Sequence, residues 1–246
     1  MPSSKLFKVW LSRVAHGKAK HVAFYAERVG GRASALPILE ELVADHFVGL
    51  AVVASAGGFV KAADVIRNSL PTAKRTQSGD LAELLGTEYV NGETKFTVPL
   101  KKLQYKSDRE MAMRGDDIIG IDVSGARPLV LKGECKSRIN LTAATVKQAA
   151  TGLDRHGGRP NASTMAFITK RLYAAGKDAE AKVFQHLQTA GAIRAPDVVH
   201  LVFSLCGNDA VDALGAVPAS KHAGIARVCA AIRVPDHAAF VASAFK

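Results

Sequence analysis

The chain has 246 residues, 48% of them apolar, and a formal net charge of +11. That much apolar surface excludes wholesale disorder, and the length suits one embellished domain or two small ones. The excess of Lys and Arg points to a phosphate-bearing partner, with plain solubility as the alternative use of such charge.

The first 34 residues are basic and carry no clear period. They lack the apolar run and small-residue cleavage site of a signal peptide. From Leu36 to Ala56 the apolar spacing predicts a helix, with Glu40, Glu41 and Asp45 on its polar side. Gly57-Gly58 breaks it, and a second helix is expected from Val60 to about Leu70. The longest apolar stretch, Phe47 to Val60, is shorter than the roughly 20 residues of a membrane span. Pro71 to Ser78 reads as a loop. Asp80-Leu81-Ala82-Glu83 matches a capping box, so a short helix is expected to start near Asp80 and to end near Gly86. Phe96 to Leu100 reads as a strand. Asp117–Val123 and Leu129–Lys136 read as two strands joined by the turn residues Ser124 to Pro128. A helix from Leu141 to Leu153 and a polar, Gly-rich loop from Asp154 to Pro160 follow. The remaining expectations are a strand (Thr164–Thr169), a helix (Gly176–Thr189), two strands (Val198–Leu205 and Ile225–Val234) and a last helix (His237–Phe245). This order predicts an α/β fold with a mixed central sheet flanked by helices. Residues 1–75 read as a basic, mainly helical extension on a core of residues 76–246, or as part of one continuous domain 1–246.

Ten of the 22 acids fall in residues 76–140, between flanks richer in Lys and Arg. Within that segment Asp117 opens one apolar run, and Leu-Val-Leu-Lys-Gly-Glu134-Cys135-Lys136 closes the next. Side chains on a strand alternate, so Glu134 and Lys136 share a face while Cys135 turns toward the core. If the two runs pair as a hairpin, Asp117 approaches Glu134. Two acids meeting there repel unless a cation lies between them. Mg²⁺ suits such a site, with Mn²⁺ as a substitute, because it takes oxygen ligands and keeps several waters. Such an ion binds a phosphodiester oxygen and lowers the pKa of a bound water. Lys136 then orients or activates the attacking water and offsets charge developing on the phosphate. The Cys135 carbonyl is a further candidate ligand, and Glu83 completes the site directly or through water unless it serves only as a capping residue. Asp116 competes with Asp117 for the metal, although Asp117 abuts the apolar run; Asp122 lies at the far end of the same strand. Arg114 and Arg138 are candidate phosphate contacts. The alternative for Glu134 and Lys136 is a solvated ion pair at a strand end.

Other chemistries lack their residues. There is no GxxxxGK[ST] loop for ATP and no GxSxG elbow for a serine nucleophile. Cys135, Cys206 and Cys229 are odd in number and far apart, which fits neither a zinc site nor a disulfide framework and points to a reducing, cytoplasmic setting. His21, His46, His186, His200, His222 and His237 show no metal-ligand spacing, and His156 lies in the polar loop. Only 6% of residues are aromatic, which favours recognition of a nucleic-acid backbone over base stacking.

The runs GDLAELLGTEYV, VPLKKLQYKSDREMAMRGDDIIGI and LVLKGECKSR resemble the nuclease subunit of the Hachiman anti-phage defence system, most clearly from Gly79 to Arg138. The resemblance implies a PD-(D/E)XK nuclease with a restriction-endonuclease-like core that acts on DNA beside a helicase partner. By that likeness Glu134 and Lys136 fall on the Glu-x-Lys pair and Asp117 on the acid of the preceding strand. Related nucleases carry a Gln on the following helix, here Gln148. Gly115-Asp116-Asp117 stands where the family pattern has Pro-Asp. The expected activity is therefore a Mg²⁺-dependent DNA endonuclease without membrane association. The competing readings are a non-catalytic DNA-binding adaptor on the same fold and a sequence-specific restriction enzyme that yields discrete fragments.

Overall fold

Apart from His200 and Ser204, the run Val198–Cys206 is apolar on both of its alternating faces, as a strand covered from two sides must be. In the computed structural model, which describes residues 2–16, 20–49, 52, 55–56, 58–189 and 192–246, this run lies inside a six-stranded sheet. The strands are β1 (Leu11–Arg13), β2 (Val22–Glu27), β3 (Ile118–Asp122), β4 (Leu129–Arg138), β5 (Val198–Cys206) and β6 (Ala226–Arg233). The helices are α1 (Pro2–Trp10), α2 (Gly31–Phe47), α3 (Phe59–Ser69), α4 (Lys74–Glu93), α5 (Ala143–Leu153), α6 (Ala162–Ala174), α7 (Asp178–Leu187), α8 (Val211–Gly215) and α9 (His237–Ser243). In space the strands run β1-β2-β6-β5-β4-β3. β2, β6, β5 and β4 are parallel, and β1 and β3 flank them as antiparallel edges.

The period of two divides the strand residues between two cores. Leu201, Phe203 and Leu205 of β5 and Ala230 and Ile232 of β6 face α1, α2, α4 and α9, where Trp10 stacks on Phe240 at 4.9 Å. Val202, Cys229 and Ala231 face α5 and α8. Ile119 and Val130 pack with α6 and α7 in a third cluster. Each fully buried Leu or Phe in these layers contributes about 1.5–3 kcal/mol of transfer free energy. The mixed sheet flanked by helices follows the expected class.

Several elements depart from expectation. The first 75 residues put two strands into the central sheet and α1 into its main core. α2 starts at Gly31 and stops at Phe47; part of the helix expected beyond it, and Gly57, lie outside the described residues. α3 matches the second helix expected. The capping box at Asp80 is not a cap, because α4 already begins at Lys74 and carries Asp80 in its buried middle. The residues just before the helix are held from a distant loop: the Glu110 carboxylate accepts the N–H groups of Thr72 (2.7 Å) and Ala73 (3.2 Å). Gly86 lies within α4, where an added Cβ would come within 2.7 Å of Ile118, so the glycine lets helix and sheet approach closely. Phe96–Leu100 forms no strand, only one bridge from Thr97 to Ile121. The strand expected at Thr164–Thr169 is the helix α6. The Asn161 side chain accepts the Ser163 N–H as its N-cap, and Met165, Ile168 and Leu172 are buried at helical rather than alternating spacing. No helix among the described residues is long and apolar enough to cross a membrane.

Candidate active site

β3 and β4 pair antiparallel with Ile118 opposite Gly133. That register sets Asp117, just before β3, against Glu134. The Cys135 N–H donates to Asp117 Oδ2 at 2.8 Å, fixing the acid at the strand end. Glu134 and Lys136 share a face, and Lys136 Nζ donates to Glu134 Oε1 at 2.6 Å. The Cys135 thiol points to the opposite face, beneath Gly86, and burial pushes its pKa up. It is a core group there, not a nucleophile.

α4 lays Asp80 and Glu83 against this strand end. With Asp117, Glu134 and Lys136 they line a cleft of about 660 Å³ whose rim includes Arg75, Glu110 and Arg138. Burial and the neighbouring Glu134 push the Asp117 carboxyl above its usual range, against the Cys135 N–H, Lys102 and Lys136. Burial also raises Glu83, with Asp117 and Asp80 adding to the shift against Lys102 and Lys106. Asp80 is pushed up to about 6 by burial, although Lys106 Nζ lies 2.6 Å from its Oδ2. The cleft therefore holds acids whose charged form is disfavoured mainly by burial, even beside Lys102, Lys106 and Lys136.

Asp116 has a different task. Its carboxylate accepts the Asn161 N–H at 2.6 Å and lies 3.6 Å from the buried Lys132 ammonium. Its N–H donates to Thr164 Oγ1 at 3.1 Å, and its carbonyl accepts Lys102 Nζ. Gly115 precedes it with φ +96°, and a Cβ there would come within 2.2 Å of Thr164 Oγ1. Only glycine fits that left-handed approach. The Gly-Asp-Asp string thus divides its work: Gly115 and Asp116 anchor the loop, and Asp117 reaches the cleft. Gly152 of α5 faces Glu134 from the other side, where a Cβ would stand 3.2 Å from the carboxylate.

Of the candidate residues, Asp117, Glu134, Lys136, Cys135, Glu83 and Arg138 come together around this cleft. Asp116 does not: it is buried in the pair with Lys132, which corrects its candidacy as a metal ligand. Arg114 is exposed and lies off the cleft lining. Gln148 is exposed one turn before Gly152 on α5 and is likewise off the lining. Asp122 pairs with Lys95 at 2.9 Å at the far end of β3. The sequence pattern missed Lys102 and Lys106. Both stand in a stretch without period, and only the tertiary fold aims them at acids on α4.

Among the described residues, no group of three or more His, Cys, Asp and Glu side chains closes around a common metal position. Mg²⁺ does not require one, since one or two carboxylates with waters suffice. Asp117 Oδ1 and Glu134 Oε2 accept no protein hydrogen bond among the described residues, since Cys135 N–H and Lys136 engage the other two oxygens. Two adjacent carboxylates, each with an oxygen free of protein hydrogen bonds at an open cleft, fit a small oxygen-seeking dication.

Comparison with known proteins gives two findings. The chain is 27% identical over 135 residues to the Hachiman protein HamA of Bacillus cereus, a match covering 55% of this chain and 48% of that protein. The match thus spans about half the length of that relative. The model of the HamA family matches residues 6–246, far beyond the Gly79–Arg138 segment that carries the resemblance. The chain belongs to the HamA family.

Proposed function

We propose that this chain is the nuclease component of a Hachiman anti-phage defence system: a Mg²⁺-dependent DNA endonuclease, with Mn²⁺ as a substitute, on a restriction-endonuclease-like PD-(D/E)XK core. One observation carries the reading. Asp117 and Glu134 oppose each other across adjacent strands, and Lys136 stands on Glu134 at the mouth of a cleft. Family membership and the likeness to a Hachiman protein of Bacillus cereus support the Hachiman assignment.

In this reading Asp117, Glu134 and the Cys135 carbonyl would hold the ion. When bound, Mg²⁺ supplies Lewis acidity to a phosphate oxygen and acidifies a water. Lys136 is released from Glu134 to face the phosphate and offset its growing charge. Glu83, kept protonated more readily than an ordinary acid by its burial, orients water above the site. Arg138 at the rim holds the DNA backbone. A helicase partner feeds DNA to the cleft or restrains an otherwise toxic activity.

The test is plasmid degradation by the protein purified with its partner. Glu134→Ala and Lys136→Ala are each expected to lower cutting about a hundredfold or more while the fold survives. Unchanged cutting in both variants removes the site. The direct Lys136–Glu134 pair favours a second reading, a DNA-binding adaptor without catalysis. It predicts salt-dependent DNA binding that needs no divalent ion, and no cutting at any Mg²⁺ concentration.

A further inference from the structure

We propose that a second cleft, continuous with the acidic one, seats a single-stranded stretch of nucleic acid leading to the bond to be cut. The inference rests on the nuclease reading and adds the form of its substrate. The second cleft measures about 600 Å³, and Arg75, Ser78, Ser137 and Arg138 line both clefts. Beyond that shared wall the character changes. Lys74 joins the shared Arg75 and Arg138 there and, among the described residues, no carboxylate lines this side, whereas Asp80, Glu83, Asp117 and Glu134 crowd the other.

Two of these cations stand where helix stability disfavours them. Lys74 and Arg75 open α4, at the positive end of its dipole, and its first turn contains no acid. Both are exposed beside a groove. Glu110 already meets the N–H groups of Thr72 and Ala73 just before the helix, so the positive charge offered to an incoming phosphate is that of the Lys74 and Arg75 side chains.

The floor narrows the ligand. Ile139 is 57% exposed, and Ala238, Val241 and Ala242 continue an apolar lining. A free phosphate ion has no use for such a surface. A nucleotide does, because it presents hydrocarbon faces of sugar and base alongside its phosphate. In a duplex the base faces are stacked inside, so an unpaired strand is the form that offers them. The floor is aliphatic, which makes the grip tolerant of sequence. The dividing wall is firm: Ser78 Oγ donates to Ser137 Oγ at 2.8 Å, and Ser137 Oγ lies 2.8 Å from His237 Nε2. A strand crossing that wall passes from cations to acids, placing one phosphate beside Asp117 and Glu134.

The experiment measures fluorescence anisotropy of a labelled oligothymidylate and of a labelled hairpin duplex, in EDTA, across a salt series. Lys74→Glu and Ile139→Asp touch the second cleft alone, and Lys74→Glu favours the helix dipole, so the fold is not at risk. The wild type is expected to bind the single strand more tightly than the duplex. Lys74→Glu should weaken single-strand binding about tenfold at low salt and reduce the slope of log K against log salt by about 0.7. Ile139→Asp should remove the preference for the single strand. Unchanged oligonucleotide binding in both variants, or a wild-type preference for the duplex, overturns the proposal. Plasmid cutting by Glu134→Gln separates the two claims. Weakened binding in Lys74→Glu while Glu134→Gln still cuts keeps the groove and removes the active-site assignment. Intact binding in Lys74→Glu while Glu134→Gln is dead removes the groove and keeps the assignment.

Discussion

Strand β4 carries two charge clusters only two residues apart on one face, and they are balanced in opposite ways. Around Lys132 every charge has a partner, although burial still lowers the pKa of the lysine itself against the pull of Asp116. Its ammonium donates to the carbonyls of Leu153, Arg155 and Arg159, each at 3.0 Å, and lies beside Asp116. Next to it, Arg227 pairs with Asp154 at 2.6 Å. Burial works to raise Asp154, yet Arg227 and the Lys221 and Ser220 hydrogen bonds hold its carboxyl below the ordinary range. Around Glu134 burial outweighs the lysine partners: Asp80, Glu83 and Asp117 all sit above their ordinary range, on a cleft open to a further cation. The same strand thus uses buried charge once to hold the fold and once to leave a demand for a cation. Compensation, not the mere presence of charge, tells the two apart.

Exchanging one lysine from each cluster is the strongest way to break this contrast. Lys132→Met leaves Asp116 buried without its cation and three carbonyls without a donor. It should cost about 3–5 kcal/mol in urea unfolding. Lys136→Met should change stability by about 1 kcal/mol or less, since its pair is partly exposed, yet remove DNA cutting. Equal effects of the two substitutions on stability would erase the distinction.

Acid sharpens it further. His200 Nε2–H donates to the Gly158 carbonyl at 2.7 Å, and Nδ1 accepts from Arg227 at 3.1 Å, so the ring is neutral and both nitrogens are engaged. Burial, with help from Arg227 and Lys132, lowers its pKa to about 4 against the Gly158 bond. The folded pKa lies below the unfolded value of about 6.5, so the unfolded chain binds more protons between them. Stability from this site is full above about pH 6.5 and is lost as pH falls toward 4, by about 3 kcal/mol in all. His200→Gln should flatten that part of the pH–stability curve measured by thermal melting. An unaltered curve would show that another group carries it.

A smaller effect separates fold from site within one helix. Gly152→Ala removes a glycine from α5 and should stabilise the protein by about 1 kcal/mol. Its new Cβ would crowd the Glu134 carboxylate, 3.2 Å away, and should slow cutting about tenfold. Faster or equal cutting in a stabilised variant would mean that Glu134 has room to move without consequence.

How far these clusters could be read in the sequence depends on how local their causes are. Asp117, Glu134 and Lys136 were legible because two apolar runs, one turn and the period of two set their register. β5 and β6 were legible as continuous apolar runs. The Lys132 cluster was not, because its partners Leu153, Arg155 and Arg159 are carbonyls beyond an intervening helix. Asp80-x-x-Glu83 looked like a local cap, but the helix starts at Lys74, behind a segment that Glu110 holds from far along the chain, and both acids line the cleft. β2 is six residues in a basic stretch, and its place rests on pairing with Cys229 to Arg233. The alternation expected for Thr164–Thr169 gave way to burial at a helical period, with Asn161 as the cap.

The most direct test of an unmet demand for a cation is anomalous diffraction from crystals soaked in Mn²⁺. The account predicts one peak bridging Asp117 and Glu134, at roughly 2.0–2.5 Å from their oxygens, with Lys136 moved away from Glu134. No peak in the cleft, or a peak that leaves both carboxylates unliganded, would contradict it.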